Sequence, residues 1–182
     1  MTADEDLVEQ ALAGSEPAFA ALVDRYQQRL LRFLLVRCGV RADAEDALQD
    51  AFVDAWRYLH TFDRRWRFST WLYRIALRRA ARQRPAAEPE PAWSAAVQDP
   101  LADCMAADER DNLWLTARRC LSADACTALW LHYVEELPQR DVAKTMQRSL
   151  PWTKVTLMRA RRRLEERLAA ADPEGNEHEA YG

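Results

Sequence analysis

Between Asp46 and Leu59 the apolar residues Leu48, Phe52, Ala55, Trp56 and Leu59 recur at helical spacing, which predicts an amphipathic helix with Glu45, Gln49, Asp50 and Asp54 on its outer face. Gln49 and Asp50 are expected on the side opposite Phe52 and Trp56. A second helix is predicted from about Ser69, where Arg74, Arg78 and Arg82 at i, i+4 and i+8 form one basic stripe. Upstream, a short helix covers about Glu5–Ala13. Ser15 reads as the N-cap and Pro17 as a first-turn residue of a long helix reaching about Arg37, with Phe19, Leu22, Val23, Tyr26, Leu30, Phe33 and Leu34 as its core stripe. Gly39 ends that helix. Asp43 is placed to cap the next one, with Glu45 and Asp46 in the first turn, where the helix dipole favours acids.

Beyond Arg84 the periodicity breaks at PAAEPEPAWSAAVQDP, a proline-rich linker. Helical spacing resumes near Ala107 with Leu113, Leu115 and Ala117, and Ser122 can cap a helix carrying Cys126, Leu129, Trp130 and Tyr133. Pro138 opens a short helix to about Met146, residues 147–150 form a turn, and Pro151 starts a last helix ending around Ala170. With 4 glycines in 182 residues and no alternating apolar run, no strand is predicted. The fold class is therefore all-α: two small helical domains, 1–84 and 107–170, joined by a linker at 85–106 and followed by an acidic tail at 171–182. Two short-linked helices at 138–170 read as a helix-turn-helix, the second being the one placed in a major groove.

Charge changes this picture. The chain carries a net charge of −3, yet residues 57–84 hold 9 bases against 1 acid and residues 139–168 hold 9 against 3, with acid-rich blocks between and around them. Two basic blocks of +8 and +6 inside an acidic chain argue for two surfaces facing nucleic acid and at least one acidic surface facing something else. The segment TFDRRWRF interleaves Arg64, Arg65 and Arg67 with Phe62, Trp66 and Phe68. Cations for phosphate beside aromatic faces for stacking are what holds a single strand, although arginines on a helix also serve as a plain solvated face and Trp56, Trp71 and Leu72 as plain core. In the last helix Lys154, Arg159, Arg161, Arg162 and Arg163 supply cations, while Val155, Leu157 and Leu164 offer apolar contact.

Other chemistries find little support. No Gly-rich phosphate loop, metal-ligand cluster or nucleophile-base arrangement stands out, so neither an enzyme nor a cofactor is expected, and Glu135 and Glu136 read as solvated carboxylates. Cys38, Cys104, Cys120 and Cys126 form no C-x-x-C pair and read as buried free thiols. No run of 18 apolar residues is present and the first ten residues are acidic, so a cytoplasmic protein is expected.

Three stretches carry a resemblance. AEDALQDAFVDAWRYL resembles the D-x-x-Q-[DE]-x-F helix, FSTWLYRIALRRA the F-x-T-W-L-x-R-I-A helix, and TLMRARRRLEERL the closing R-L-x-R-A-R-x-x-L of the extracytoplasmic-function (ECF) group of bacterial sigma-70-type RNA polymerase sigma factors. The resemblance covers about 5–84 (region 2) and 107–168 (region 4). It implies a promoter-recognition subunit whose partners are core RNA polymerase, through its clamp helices and flap, promoter DNA and an anti-sigma factor. Polymerase docking then falls to Asp46, Gln49, Asp50 and Asp54, and the −10 strand to Arg64, Arg65, Trp66, Arg67, Trp71, Arg74 and Arg78. The −35 major groove falls to Lys154, Val155, Met158, Arg159 and Arg161. The turn departs from the family pattern, with Gln147 where a small residue is usual and Pro151, Trp152 and Thr153 where G-T-V is usual, which implies a reshaped turn. The alternative is a helix-turn-helix regulator that acts without polymerase, which leaves the acidic helix and the aromatic-arginine loop without a task.

Overall fold

The computed structural model describes residues 3–83 and 109–171. The linker read at 85–106, Cys104 and the tail from residue 172 lie outside the described residues. Helices α1 (Asp4–Leu12), α2 (Glu16–Cys38), α3 (Arg41–Tyr58) and α4 (Phe68–Gln83) make the first half, with a 3-10 turn at Leu59–Thr61. Helices α5 (Glu109–Cys120), α6 (Ala123–Leu129), α7 (Gln139–Thr145) and α8 (Leu150–Ala171) make the second, and α6 runs into a π-helical turn at Trp130–Val134. Among the described residues there is no strand.

Local chemistry fixes the ends of α2. Ser15 Oγ accepts from the Ala18 N–H at 3.4 Å, Pro17 lies in the first turn, and Gly39 closes the helix in the left-handed conformation at φ +80° with its N–H on the Leu35 carbonyl at 3.0 Å. The next helix begins three residues earlier than an Asp43 cap implies: Val40 is the N-cap and Asp43 sits inside the first turn, so Asp43 is not the cap. There its charge still faces the positive end of the helix.

The inner face of α3 is a row of methyl groups, Ala44, Ala47, Ala51 and Ala55, all fully buried, with Leu48 and Phe52 packed at its margins. Trp56, expected inside and opposite Gln49, is 42% exposed and leans on Phe19 with ring centroids 4.9 Å apart. It lies seven residues from Gln49, two helical turns along the same outer side. Asp54, expected outside, is largely covered: its side chain is 14% exposed and Arg79 Nε donates to it at 2.6 Å. The same guanidinium reaches Asp50 at 3.2 Å, so α3 and α4 are tied by a two-carboxylate clamp.

In the second half Ser122 caps α6 by accepting from the Ala125 N–H at 3.3 Å. Pro138 is the N-cap of α7, one place before the first turn. The unusual turn is well formed. Gln147 takes φ +55°, which is where a small residue is easiest, and Ser149 Oγ accepts from the Trp152 N–H at 3.3 Å to start α8. Arg148 donates to Asp124 at 2.9 Å and lies over the ring of Trp152, one of the departing residues, at 5.1 Å.

The halves share one continuous core. Phe33 of α2 packs edge-on against Tyr73 of α4 at 4.8 Å and against Trp130 at 6.4 Å, and Trp130 packs on Trp114 of α5 at 4.8 Å. Glu135, expected in solvent, is buried at this seam; Arg29 of α2 donates to it at 2.7 Å and the Trp130 indole N–H at 3.3 Å. Glu136, by contrast, is exposed as expected.

The C-cap of α2 generates a stability prediction. In Gly39→Ala a Cβ would take on the strained φ and collide with the Arg118 guanidinium, which is flexible enough to swing aside. The backbone strain then dominates, and a loss of about 1–3 kcal/mol is expected in urea unfolding. A midpoint unchanged from the parent would contradict this account of the cap.

Candidate nucleic-acid interface

The loop between α3 and α4 is held by its aromatic residues, and this decides which of them can act. Phe68 is buried against Tyr26 at 5.5 Å and Phe62 at 5.9 Å, and Trp71 contacts both phenylalanines at 5.8 and 5.6 Å. Phe68 is therefore the buried anchor, with Phe62 partly buried beside it, while Trp66 and Trp71 are half-exposed at the surface. Together with Thr61, Phe62, Asp63, Thr70, Arg74, Ile75, Arg78 and Lys144 they line a cavity of about 330 Å³. The lining combines the aromatic Phe62, Trp66 and Trp71 with the cationic Arg74, Arg78 and Lys144.

Two polar atoms in that lining, Thr70 Oγ1 and Arg74 Nε, are buried without a hydrogen-bond partner among the described residues. A buried donor without a partner is costly, so the cavity favours a guest with polar edges. Burial, and then the neighbouring Arg78, pull the Arg74 guanidinium below its ordinary pKa.

The remaining loop cations are set apart. Arg65 is exposed and donates to both carboxylate oxygens of Asp63, at 3.0 Å from Nε and 2.7 Å from Nη2, while Arg67 is exposed and Arg64 stands 3.5 Å from Glu9. Arg78 lines this cavity and a neighbouring one of about 360 Å³ bounded by Asp54, Tyr58, Thr61, Trp71, Ile75, Arg79 and Arg82. The stripe Arg74, Arg78 and Arg82 thus runs alongside both.

On α3 the exposed residues Asp46, Gln49 and Asp50 share one face with Val53, an apolar side chain 55% exposed that sequence reasoning passed over. Its position seven residues after Asp46 was the available signal. Asp54 is not on that exposed face. On α8 the inward residues are Thr153, Leu157 and Ala160, while Lys154, Val155, Met158, Arg159 and Arg161 are all exposed along the other side, Met158 at 64%. Val155, expected to contribute to the domain as well, faces outward. Arg161 and Arg162 are paired with Glu165 and Glu166 one turn on. Lys144 at the cavity and Arg79 at the clamp were also unread, because both act through partners far away in sequence.

Burial pushes the Cys126 thiol up to about 12 and moves Cys120 in the same direction, which leaves both protonated and poorly nucleophilic at neutral pH. Among the described residues no group of three or more His, Cys, Asp or Glu side chains could hold a metal ion, and no helix is long and apolar enough to cross a membrane.

The loop pair titrates in a testable way. Hydrogen bonds from the Arg65 side chain, and then from its backbone N–H, lower the Asp63 carboxyl to about 2. A depressed carboxylate keeps its pair above the folded pKa and loses it as pH falls through that value. The Asp63 carboxyl carbon should therefore titrate near pH 2 by NMR and move back up in Arg65→Ala; an unshifted midpoint in the parent chain would remove the pair from the loop.

Comparison with known proteins meets this geometry. The family model for sigma-70 region 2 matches residues 22–86, which contain α3, the loop and α4. The chain is 31% identical to the ECF RNA polymerase sigma-E factor of Haemophilus influenzae over 91% of its own length and 95% of that protein. It is 30% identical to the RNA polymerase sigma-H factor of Pseudomonas aeruginosa over 91% and 93%. Among solved structures it is similar to CnrH in complex with the cytosolic domain of CnrY, with a TM-score of 0.69 at 27% identity, covering 93% of this chain and 99% of that one. It shares the fold of the sigma factor RpoE solved with the anti-sigma factor NepR from Bartonella quintana, at a TM-score of 0.60, 21% identity and coverage of 82% and 96%. With two relatives matched over nearly their whole lengths, the chain belongs to the ECF group of the sigma-70 family of RNA polymerase sigma factors.

Proposed function

We propose that this sigma factor docks on core RNA polymerase through the α3 face, brings it to specific promoters and helps open the DNA there. The observation that carries the reading is the cavity beside Trp66 and Trp71, with the unpartnered Thr70 and Arg74 atoms in its wall and a basic stripe leading to it. Such a site takes a base only after it has left the duplex. The −10 contacts are then Trp66, Trp71, Arg74 and Arg78 at the cavity, with Arg64, Arg65 and Arg67 on the phosphates around it. Lys154, Val155, Met158, Arg159 and Arg161 form a separate exposed face suited to duplex DNA, the −35 element.

In this reading residues 3–83 make the polymerase-docking and melting domain and 109–171 the upstream-recognition domain. Asp46, Gln49 and Asp50 with Val53 are the docking face, and Asp54 supports it from behind by holding Arg79. The protein works in the cytoplasm and performs no bond chemistry itself; the polymerase supplies that. An anti-sigma protein is proposed as a further partner, since two of the similar solved structures are such complexes or are bound by another protein's cytosolic domain. Each DNA face is small, so free protein should bind DNA weakly and with strong salt dependence, and specifically only when polymerase holds both faces at once.

Docking is tested by Gln49→Ala with Asp50→Arg. Because Asp54 alone can retain Arg79, circular dichroism should show unchanged helix content while co-purification with core polymerase is lost. A charge reversed against a buried partner costs about 2–5 kcal/mol. Undiminished co-purification would remove α3 from the interface.

The two DNA faces should separate on a template pre-melted around the start site. Trp66→Ala, which gives up stacking of about 1–3 kcal/mol per base, is expected to slow open-complex formation on duplex promoters and to be partly rescued by pre-melting. Lys154→Ala with Arg159→Ala should weaken initial promoter binding and gain nothing from it. Identical responses of the two variants would reduce both faces to one non-specific phosphate clamp.

A further inference from the structure

Four guanidinium groups converge on a second cavity of about 350 Å³. Arg74 and Arg78 enter it from α4, Arg37 from the last turn of α2, and Arg148 from the turn before α8. Among the described residues the one acid in that lining is Asp124 of α6. The space falls within the range of roughly 300–1,000 Å³ that small-molecule sites occupy.

Asp124 already serves two of the four cations. Arg148 donates to one of its oxygens at 2.9 Å, and Arg37 stands 3.5 Å from the other. Arg74 and Arg78 are left to face each other one helical turn apart. Arg74 Nε is buried and has no hydrogen-bond partner among the described residues. Burial depresses its pKa, and the charge of Arg78 depresses it further, so the two cations meet without an acid between them.

With four guanidinium groups against one carboxylate, the wall holds three positive charges in excess. A single phosphate group brings about 1.5 to 2 negative charges, which leaves part of that excess uncompensated, whereas two linked groups match it. The planar fork of an arginine takes phosphate oxygens in pairs. Two such forks stand side by side on α4, and two more share Asp124.

We infer that this cavity is a binding site for a small molecule carrying two linked phosphate groups, one held by Arg74 and Arg78 and the other by Arg37 and Arg148. Asp124 then acts as the occupant that the anion displaces. The backbone of a bound DNA strand is a second source of the same phosphate chemistry. Arg37 and Arg148 separate the two sources, because neither lines the cavity at Trp66.

The test titrates the full chain with inorganic pyrophosphate at constant ionic strength, in a buffer free of phosphate and divalent cations. Proton–nitrogen NMR reads the arginine Nε–H groups and the backbone at Gln147 and Arg148. Saturable shifts should gather at Arg37, Arg74, Arg78 and Arg148, and orthophosphate should bind about tenfold more weakly. Arg148→Ala should weaken pyrophosphate binding about tenfold. Arg162→Ala, which removes the same charge from the exposed side of α8, should leave it unchanged. Asp124→Asn moves the other way: with the competing carboxylate gone, binding should tighten severalfold, an outcome that damage to the fold does not produce. A fluorescein-labelled single-stranded oligonucleotide, followed by anisotropy, should keep its affinity in Arg148→Ala. Shifts spread evenly over the arginines of α8, orthophosphate binding as tightly as pyrophosphate, or an Asp124→Asn chain that binds no better overturns the inference. An oligonucleotide that loses as much affinity as pyrophosphate in Arg148→Ala overturns it too, by giving these arginines to the strand.

Discussion

The close approach of α3 to its neighbours is the constraint from which the rest follows. With only methyl groups on its buried stripe, α3 can lie near both α2 and α4, and α4 answers with Ala76 and Ala80 among its buried residues. At that spacing the polar margins of the two helices meet, and Arg79 can span from Asp54 to Asp50. The connecting loop has little distance to cover. It is pinned at Phe62 and Phe68, and Trp66 and Trp71 wall a cavity beside them. Larger side chains in the alanine row would push the helices apart, and both the clamp and the cavity would lose their shape.

Charge is divided by helix face more than by segment. In the basic block at α4, Arg79 is turned back onto α3 and Arg74 is partly desolvated, while Arg78 and Arg82 stay exposed beside them. In the basic block at α8, Arg161 and Arg162 pair along their own helix, and Lys154 and Arg159 are exposed at its more N-terminal turns. The same sequence composition therefore yields a clamp between helices, ion pairs along one helix and cations left exposed. What separates them is the neighbouring helix.

Features decided within a few residues were legible in the sequence. Ser15, Gly39 and Ser122 act where their types and spacing place them, and the helix ends follow to within three residues. The family motifs fall on α3, α4 and α8, with the expected face of α8 turned to solvent. Features decided between distant elements were not legible. Glu135 sits on a short polar stretch and reads as solvated, but it is buried by a helix that lies 106 residues away. Periodicity placed Trp56 inside and Asp54 outside because it treats a helix as having one partner; here Phe19 shelters the first from one side and Arg79 covers the second. The glutamine at 147 breaks the family's preference for a small residue, and the chain tolerates a left-handed residue there without changing the turn's role in starting α8.

The central claim is that this chain gives core polymerase its start sites, and transcription in a purified system tests it most directly. Core RNA polymerase supplied with the full chain and genomic DNA fragments should produce discrete transcript 5′ ends that are missing with core alone. Those ends should share a common element at a fixed distance upstream. A chain that binds core polymerase yet yields only the scattered ends of core alone would contradict the account.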